Sequence, residues 1–277
     1  MNWDNGRPAR CIERQSMNVL DELSSLRRAD AEARASALPL AELERQIAAL
    51  PPAKDFAAAF QAGRGPRVIA ELKKASPSKG LIREDFRPSE LAAELVGAGA
   101  AALSVLCEPH KFLGNEDYIR QIRAATPIPI LYKDFVTTPY QIAAARAAGA
   151  DAVLLIVVAM GSFNLSLEEL LACAHGYGLQ ALVETHTEDE ARIAIESGAR
   201  IIGVNCRDLK TFHTDPAITA DLIRRLPQGL VKIAESGIRT ADDITSLIAA
   251  GASGFLIGET LMRAPHPGSA LRQLTNI

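Results

Sequence analysis

Aromatic residues are scarce in this chain, at 5% of 277 positions with a single tryptophan, so a pocket for a flat ligand must be built mainly from aliphatic side chains. Its four cysteines (Cys11, Cys107, Cys173, Cys206) lie far apart with no Cys-x-x-Cys pair. That spacing argues against a zinc site or a disulfide framework and fits a reducing cytoplasm. A formal net charge of -3 offers no basic surface for nucleic acid or for acidic lipid headgroups. The longest apolar run, residues 152–160, is too short to span a bilayer as a helix. The polar opening segment lacks the apolar stretch of a signal peptide. The expectation is a soluble cytoplasmic protein with neither a membrane nor a nucleic-acid partner; its oligomeric state, monomer or weak homodimer, stays open. Hydrophobic residues at 48% and charged residues at 23% are ample for a large globular core.

Residues 1–16 read as a disordered leader, with Met17 a candidate natural start. Residues 17–66 read as a helical extension packed on the remainder of the chain, covering its bottom or its rim. Ala, Leu, Arg and Glu fill 18–37, Pro39 interrupts, 40–50 resumes a helical pattern, and a short Ala-rich helix ends near Gln61. From 67 to 277 the texture becomes a regular alternation. Apolar runs of strand length occupy 68–72, 102–106, 129–132, 152–157, 180–183, 201–204, 231–234 and 254–257. Helical stretches separate them at 89–97, 116–124, 139–148, 166–174, 187–196, 216–226 and 240–249. Strands too apolar to alternate are buried on both faces, which indicates a parallel sheet.

A Gly-Ala step closes a helix before every second strand, at Gly99, Gly149, Gly198 and Gly251, roughly 50 residues apart. Glycine there supplies the left-handed residue that ends a helix. Eight such strands predict an α/β fold, a closed (β/α)8 TIM barrel with an N-terminal helical extension. The alternative is an open doubly wound sheet. The chain lacks the Gly-x-Gly-x-x-Gly of dinucleotide-binding sheets, which favours closure.

The carboxyl ends of barrel strands form the active-site face. Here they carry Glu71 and Lys73, Cys107 and Glu108, Lys133, Val158, Glu184, Asn205 with Arg207, Glu235 with Ser236, and Gly258 with Glu259. Alternation along the first strand puts Ile69, Glu71 and Lys73 on one face. Acids and bases crowded at one dry mouth shift one another's pKa values, as proton-transfer chemistry requires. The small residues Ser236, Gly237 and Gly258 after the last two strands let backbone amides approach a phosphate. Lys133 fits three roles: a Schiff-base lysine, a general acid, or a plain ion-pair partner of Glu184. Glu184 is a candidate base or second acid, and His186 points the same way two residues on. No other histidine has ligand spacing beside that pair, so no metal site is expected; His110, His175, His213 and His266 read as loop or surface residues.

In order and spacing, several motifs together resemble those of the indole-3-glycerol phosphate synthase family. They are VIAELKKASPSKG (68–80), SVLCE (104–108), YKDFV (132–136), GVNCRDL (203–209), AESGI (234–238) and FLIGE (255–259). The likeness runs from about Met17 to the C-terminus. It implies a cofactor-free, metal-free carboxy-lyase of tryptophan biosynthesis. Its small phosphorylated substrate would be 1-(o-carboxyphenylamino)-1-deoxyribulose 5-phosphate. Carried over by motif, Lys133 is the general acid at the C2 carbonyl oxygen and Glu184 removes a proton during dehydration. Glu71 and Lys73 assist, Asn205 holds the ribulose hydroxyls, and Glu235 orients the lysines. The resemblance seats the phosphate on Lys73, Ser236, Gly237, Gly258 and Glu259. It gives Phe112, Phe135, Leu154, Leu209 and Leu256 as walls of the aromatic pocket, and Ser76 and Arg207 as loop anchors. Cys206, where another small polar residue is common, and the less aromatic loop from Phe112 to Asn115 depart from the pattern.

Overall fold

The computed structural model describes residues 19–61, 65–205, 207 and 216–276. Eight parallel strands close into a barrel: β1 Val68–Leu72, β2 Ala102–Leu106, β3 Ile130–Lys133, β4 Ala152–Ile156, β5 Gln180–Thr185, β6 Ile201–Asn205, β7 Val231–Glu235 and β8 Gly254–Ile257. Closure is made where Val68 of β1 stands opposite Phe255 of β8. Except for the edge residues Gln180 and Lys133, every strand position is buried, as expected of strands covered on both faces.

Outside the strands lie α3 Pro88–Gly97, α4 Asp117–Arg123, α5 Pro139–Ala147, α7 Leu167–Gly176, α8 Glu188–Glu196, α9 Pro216–Arg225 and α10 Ala241–Ala250, preceded by α1 Val19–Ala37 and α2 Leu40–Ala48. Each Gly-Ala glycine has a left-handed backbone, with φ of 93° at Gly99, 97° at Gly149, 94° at Gly198 and 100° at Gly251. The period read from the sequence is therefore a period of helix endings.

Three features depart from expectation. The strand expected over 152–157 stops one residue early: β4 ends at Ile156 and α6 (Val157–Phe163) begins at once. Periodicity cannot separate a buried strand from a short helix when every residue is apolar. Val158 consequently sits on that helix, 38% exposed, rather than at a strand end. After β8 come α11 (Glu259–Arg263) and α12 (Pro267–Thr275), the latter opened by a proline whose missing N–H costs a helix nothing there. Within the Ser/Pro/Gly loop after β1, Ala75–Ser76 pairs antiparallel with Gly80–Leu81.

The N-terminal helices reach three sides of the barrel. Helix α1 lies across the carboxyl-end mouth, tied by Arg27 to the buried Asp134 through three contacts of 2.7–3.1 Å, and by Arg34 to Glu116. Helix α2 lies along the outside, with Leu43 buried against Ala143 and Ala144 of α5. The 3₁₀ turn Ala57–Phe60 closes the floor. There Phe60 packs so close to Gly254 that an added β-carbon would meet its ring at 2.6 Å. The backbone of Ala57 donates to the side chain of Gln180 at 2.8 Å. The extension thus covers the floor as well as the rim. The leader expected over residues 1–16 lies outside the described residues. No described helix is long and apolar enough to cross a membrane.

Candidate active site

A cavity of about 460 Å³ opens at the carboxyl ends of the strands. Register explains which side chains meet there. Ile156 stands opposite Glu184, Glu184 opposite Gly203, and Asn205 opposite Glu235, so successive strands present their polar ends at neighbouring heights. Lys133 reaches inward from the end of β3. Its Nζ donates to Glu235 Oε2 at 2.8 Å and to Glu184 Oε2 at 3.2 Å. Asn205 Nδ2 donates to the other oxygen of Glu184 at 2.9 Å, and Asn205 Oδ1 accepts from the backbone of Arg207 at 3.1 Å. Across the barrel, Lys73 Nζ lies 2.6 Å from Glu71 Oε2. Although β1 ends one residue earlier, Lys73 keeps the face that alternation gave it.

Two glycines make room for these carboxylates. A β-carbon on Gly203 would collide with Glu235 Oε1, and one on Gly258 with Glu71 Oε2. Gly258 therefore has a packing duty besides any contact with ligand.

The charges are strongly perturbed. Burial works against the Lys133 ammonium, but Glu235, Glu184 and Glu71 outweigh it and hold its pKa well above the usual lysine range. Burial raises Glu184, while Lys133, His186 and the bond from Asn205 more than reverse that, bringing it down to about 2. For Glu235 the balance goes the other way. Burial, with the like charges of Glu184 and Glu71, prevails over Lys133 and pushes it up to about 7. Glu259 is lowered: burial opposes this, but a 2.9 Å bond from Arg263 and the charges of Lys79, Arg263 and Arg207 overcome it.

On the seat side, the turn after β7 has φ of 64° at Ser236 and 73° at Gly237. A left-handed serine is a strained feature, held here beside the cavity. Gly258 caps α11, whose first-turn amides have no partner within the helix. On the apolar side Phe112 and Phe135 stand with ring centroids 6.1 Å apart, and Leu154 and Leu256 line the same space. Ser76 Oγ and Arg207 Nε are buried without a hydrogen-bond partner among the described residues. Leu209 and Cys206 lie outside the described residues. Every other residue singled out as catalytic or ligand-binding lines this one cavity.

Glu108 is different. Its carboxylate turns back to accept from the backbones of His110, Lys111 and Phe112 at 2.6–2.8 Å, so this strand-end acid builds the loop that presents Phe112. Sequence reasoning missed Val19, Leu20 and Leu23 of α1, which roof the mouth, and Leu106 and Ile156, which extend its apolar wall. The last two end β2 and β4, so the strand-end rule was the available signal; nothing local marks the α1 residues. Arg239, Thr260 and Arg263 were also missed on the polar side. Among the described residues no group of three or more His, Cys, Asp or Glu side chains is arranged to hold a metal ion.

The closed eight-stranded barrel, with a lysine clamped between buried carboxylates at its mouth, defines the class: a (β/α)8-barrel enzyme. A model of the indole-3-glycerol phosphate synthase family matches residues 20–274. Indole-3-glycerol phosphate synthase 2 of Streptomyces coelicolor is 48% identical over 234 residues, covering 84% of this chain and 90% of that protein. Indole-3-glycerol phosphate synthase of Aromatoleum aromaticum is 41% identical over 260 residues, covering 93% and 98%. The chain belongs to the indole-3-glycerol phosphate synthase family. Among solved structures, a 3-hexulose-6-phosphate synthase superposes with a TM-score of 0.60 at 15% identity, covering 75% of this chain and 97% of that one. The N-acetylmannosamine-6-phosphate 2-epimerase of Clostridium perfringens gives 0.59 at 14%, covering 79% and 94%. These two likenesses are of fold.

Proposed function

We propose that this chain converts 1-(o-carboxyphenylamino)-1-deoxyribulose 5-phosphate to indole-3-glycerol phosphate, closing the pyrrole ring with loss of CO2 and water. The observation that carries the reading is Lys133, clamped by Glu184 and Glu235 in a cavity that also holds Lys73, Ser236, Gly237 and Gly258. When the aromatic carbon attacks the C2 carbonyl, negative charge grows on its oxygen. The Lys133 ammonium stabilises that charge and supplies the proton, and a buried ammonium does so more strongly than a hydrated one. The ring carboxylate then leaves as CO2 from an apolar wall of Phe112, Phe135, Leu154 and Leu256, where a carboxylate is poorly solvated.

For dehydration, Glu184 is the base, ionised by its neighbours, while Asn205 holds both Glu184 and the substrate hydroxyls. Glu235 orients Lys133, and Glu71 does the same for Lys73. The phosphate rests on Lys73, Ser236 and the amides of Gly237, Gly258 and Glu259, with Ser76 and Arg207 fixing the loops around it. Binding energy from that handle holds the reacting end in its bent form.

A Schiff-base aldolase needs Lys133 as a neutral amine. Two carboxylates within 3.2 Å favour the ammonium instead, so the general acid is the better reading. The test is to add the carboxyphenylamino-deoxyribulose phosphate and follow indole fluorescence. Absence of product, or a borohydride-trapped adduct on Lys133, overturns this assignment.

A further inference from the structure

His186 stands just beyond β5, behind Glu184 and outside the cavity lining. Glu190, in the first turn of α8, accepts from the His186 backbone N–H at 2.8 Å and lies 3.2 Å from its Nδ1. With Nδ1 donating to Glu190, the opposite nitrogen Nε2 faces Glu184 Oε1 at 3.4 Å. That nitrogen is buried and makes no hydrogen bond among the described residues, so its approach to Glu184 is a contact of charge and not a directed bond. An unprotonated Nε2 would stay buried beside a carboxylate oxygen with no proton between the two acceptors and no water to separate them. A proton on Nε2 removes the conflict and leaves the ring positively charged between two carboxylates.

Building on the reading of Glu184 as the base, we propose that His186, clamped by Glu190, is the cation that keeps Glu184 ionised from the side away from Lys133. The two oxygens of Glu184 are then divided. Oε2 belongs to Lys133, and Oε1 to Asn205 and His186. His186 is a positioning residue that acts on substrate only through Glu184.

The charged groups around the ring agree. Glu184 faces it from its own strand, Glu190 from α8 and Glu235 from β7. Helix α6, packed on both α8 and β5, brings no titratable side chain. Burial opposes the imidazolium, yet the bond to Glu190 and the charges of Glu184, Glu190 and Glu235 outweigh it, so the ring's pKa lies above the ordinary histidine value. In the other direction, burial raises Glu184, and Lys133 followed by His186 are the strongest influences opposing it.

The experiment is nitrogen NMR of the full chain with labelled histidine, without substrate, with the His186 signals assigned by their loss in His186→Gln. The expected result is a doubly protonated His186 that persists above the ordinary histidine midpoint, with its titration moved to lower pH in Glu190→Gln. In kinetics, His186→Gln keeps a donor near Oε1 but not the charge. The acidic limb of its kcat profile is expected to move up by about one pH unit, a tenfold loss at the acidic edge, with KM within about twofold. A His186 that is neutral at about pH 6.5, the ordinary histidine midpoint, or an acidic limb that stays in place in His186→Gln, overturns the proposal. The NMR readout needs no turnover. A chain that forms no indole product yet holds His186 charged upholds the clamp and removes only the reading of the reaction.

Discussion

The Glu235 carboxylate occupies the space that a side chain on Gly203 would fill, one strand away on the barrel wall. Glycine on β6 is therefore a condition for the Glu235–Lys133 contact of 2.8 Å. Gly203→Ala is expected to push Glu235 aside and misalign the ammonium. Turnover should fall on the order of 10²-fold, the usual cost of a small misplacement of a reacting group. Affinity for inorganic phosphate should stay within about threefold. Steady-state kinetics beside a phosphate titration checks both, and unchanged kcat would show that Glu235 finds another route to Lys133.

On the proposed reading, Lys133→Ala removes the proton donor and leaves the phosphate seat in place. Turnover should be lost, while affinity for a phosphorylated ligand should change by less than about tenfold, roughly 1.4 kcal/mol. Single-turnover fluorescence with a parallel binding titration separates the two effects. Retained turnover would remove Lys133 from the chemistry.

The raised pKa of Glu235 has a signature in stability. Its folded-state value of about 7 stands above the ordinary glutamate value of 4.5. Below the ordinary value the group is protonated in both states and costs nothing. Between about 4.5 and 7 the folded state holds the extra proton, so this group's contribution to stability falls as pH rises. Glu235→Gln imitates the protonated form. Its melting temperature relative to the parent should climb between about pH 5 and pH 8, a range that brackets the folded-state value, even as turnover disappears. A difference that stays flat across that range would place Glu235 at an ordinary pKa.

Arg27→Met leaves Asp134, whose side chain is fully buried, without its guanidinium partner. Removing one member of a buried pair costs about 3–5 kcal/mol, here offset in part by Tyr132 and the backbone of Phe135, which still donate to Asp134. Urea unfolding should report the loss. KM should also rise, because the same helix carries Leu20 and Leu23 over the cavity mouth. A destabilised variant with unchanged KM would make α1 a brace and not a wall.

The barrel was legible because its punctuation is chemical. Glycine at left-handed helix ends recurs with the architecture, and apolar strands that do not alternate have few other places to go. The ionisable set was legible because strand ends in a barrel converge. Direction was not. Glu108 and Glu184 look alike as strand-end acids, yet one carboxylate turns into its own loop and the other into the cavity. The difference lies in tertiary contacts that no local pattern encodes. Helix α6 was hidden for a related reason, since Val157 and Val158 suit a strand as well as a buried turn of helix. The roof over the site was hidden by distance, for residues 18–37 read as a helix whatever they cover.

Arg27 meets its partner 107 positions further along the chain. Helix α1 is thus seated on the mouth only after the third strand is in place, and contacts of that sequence separation are slow to find. The barrel wall through β3 must therefore exist before the entrance gains its ceiling. Covering the entrance is then a long-range step, distinct from the pairing of neighbouring strands.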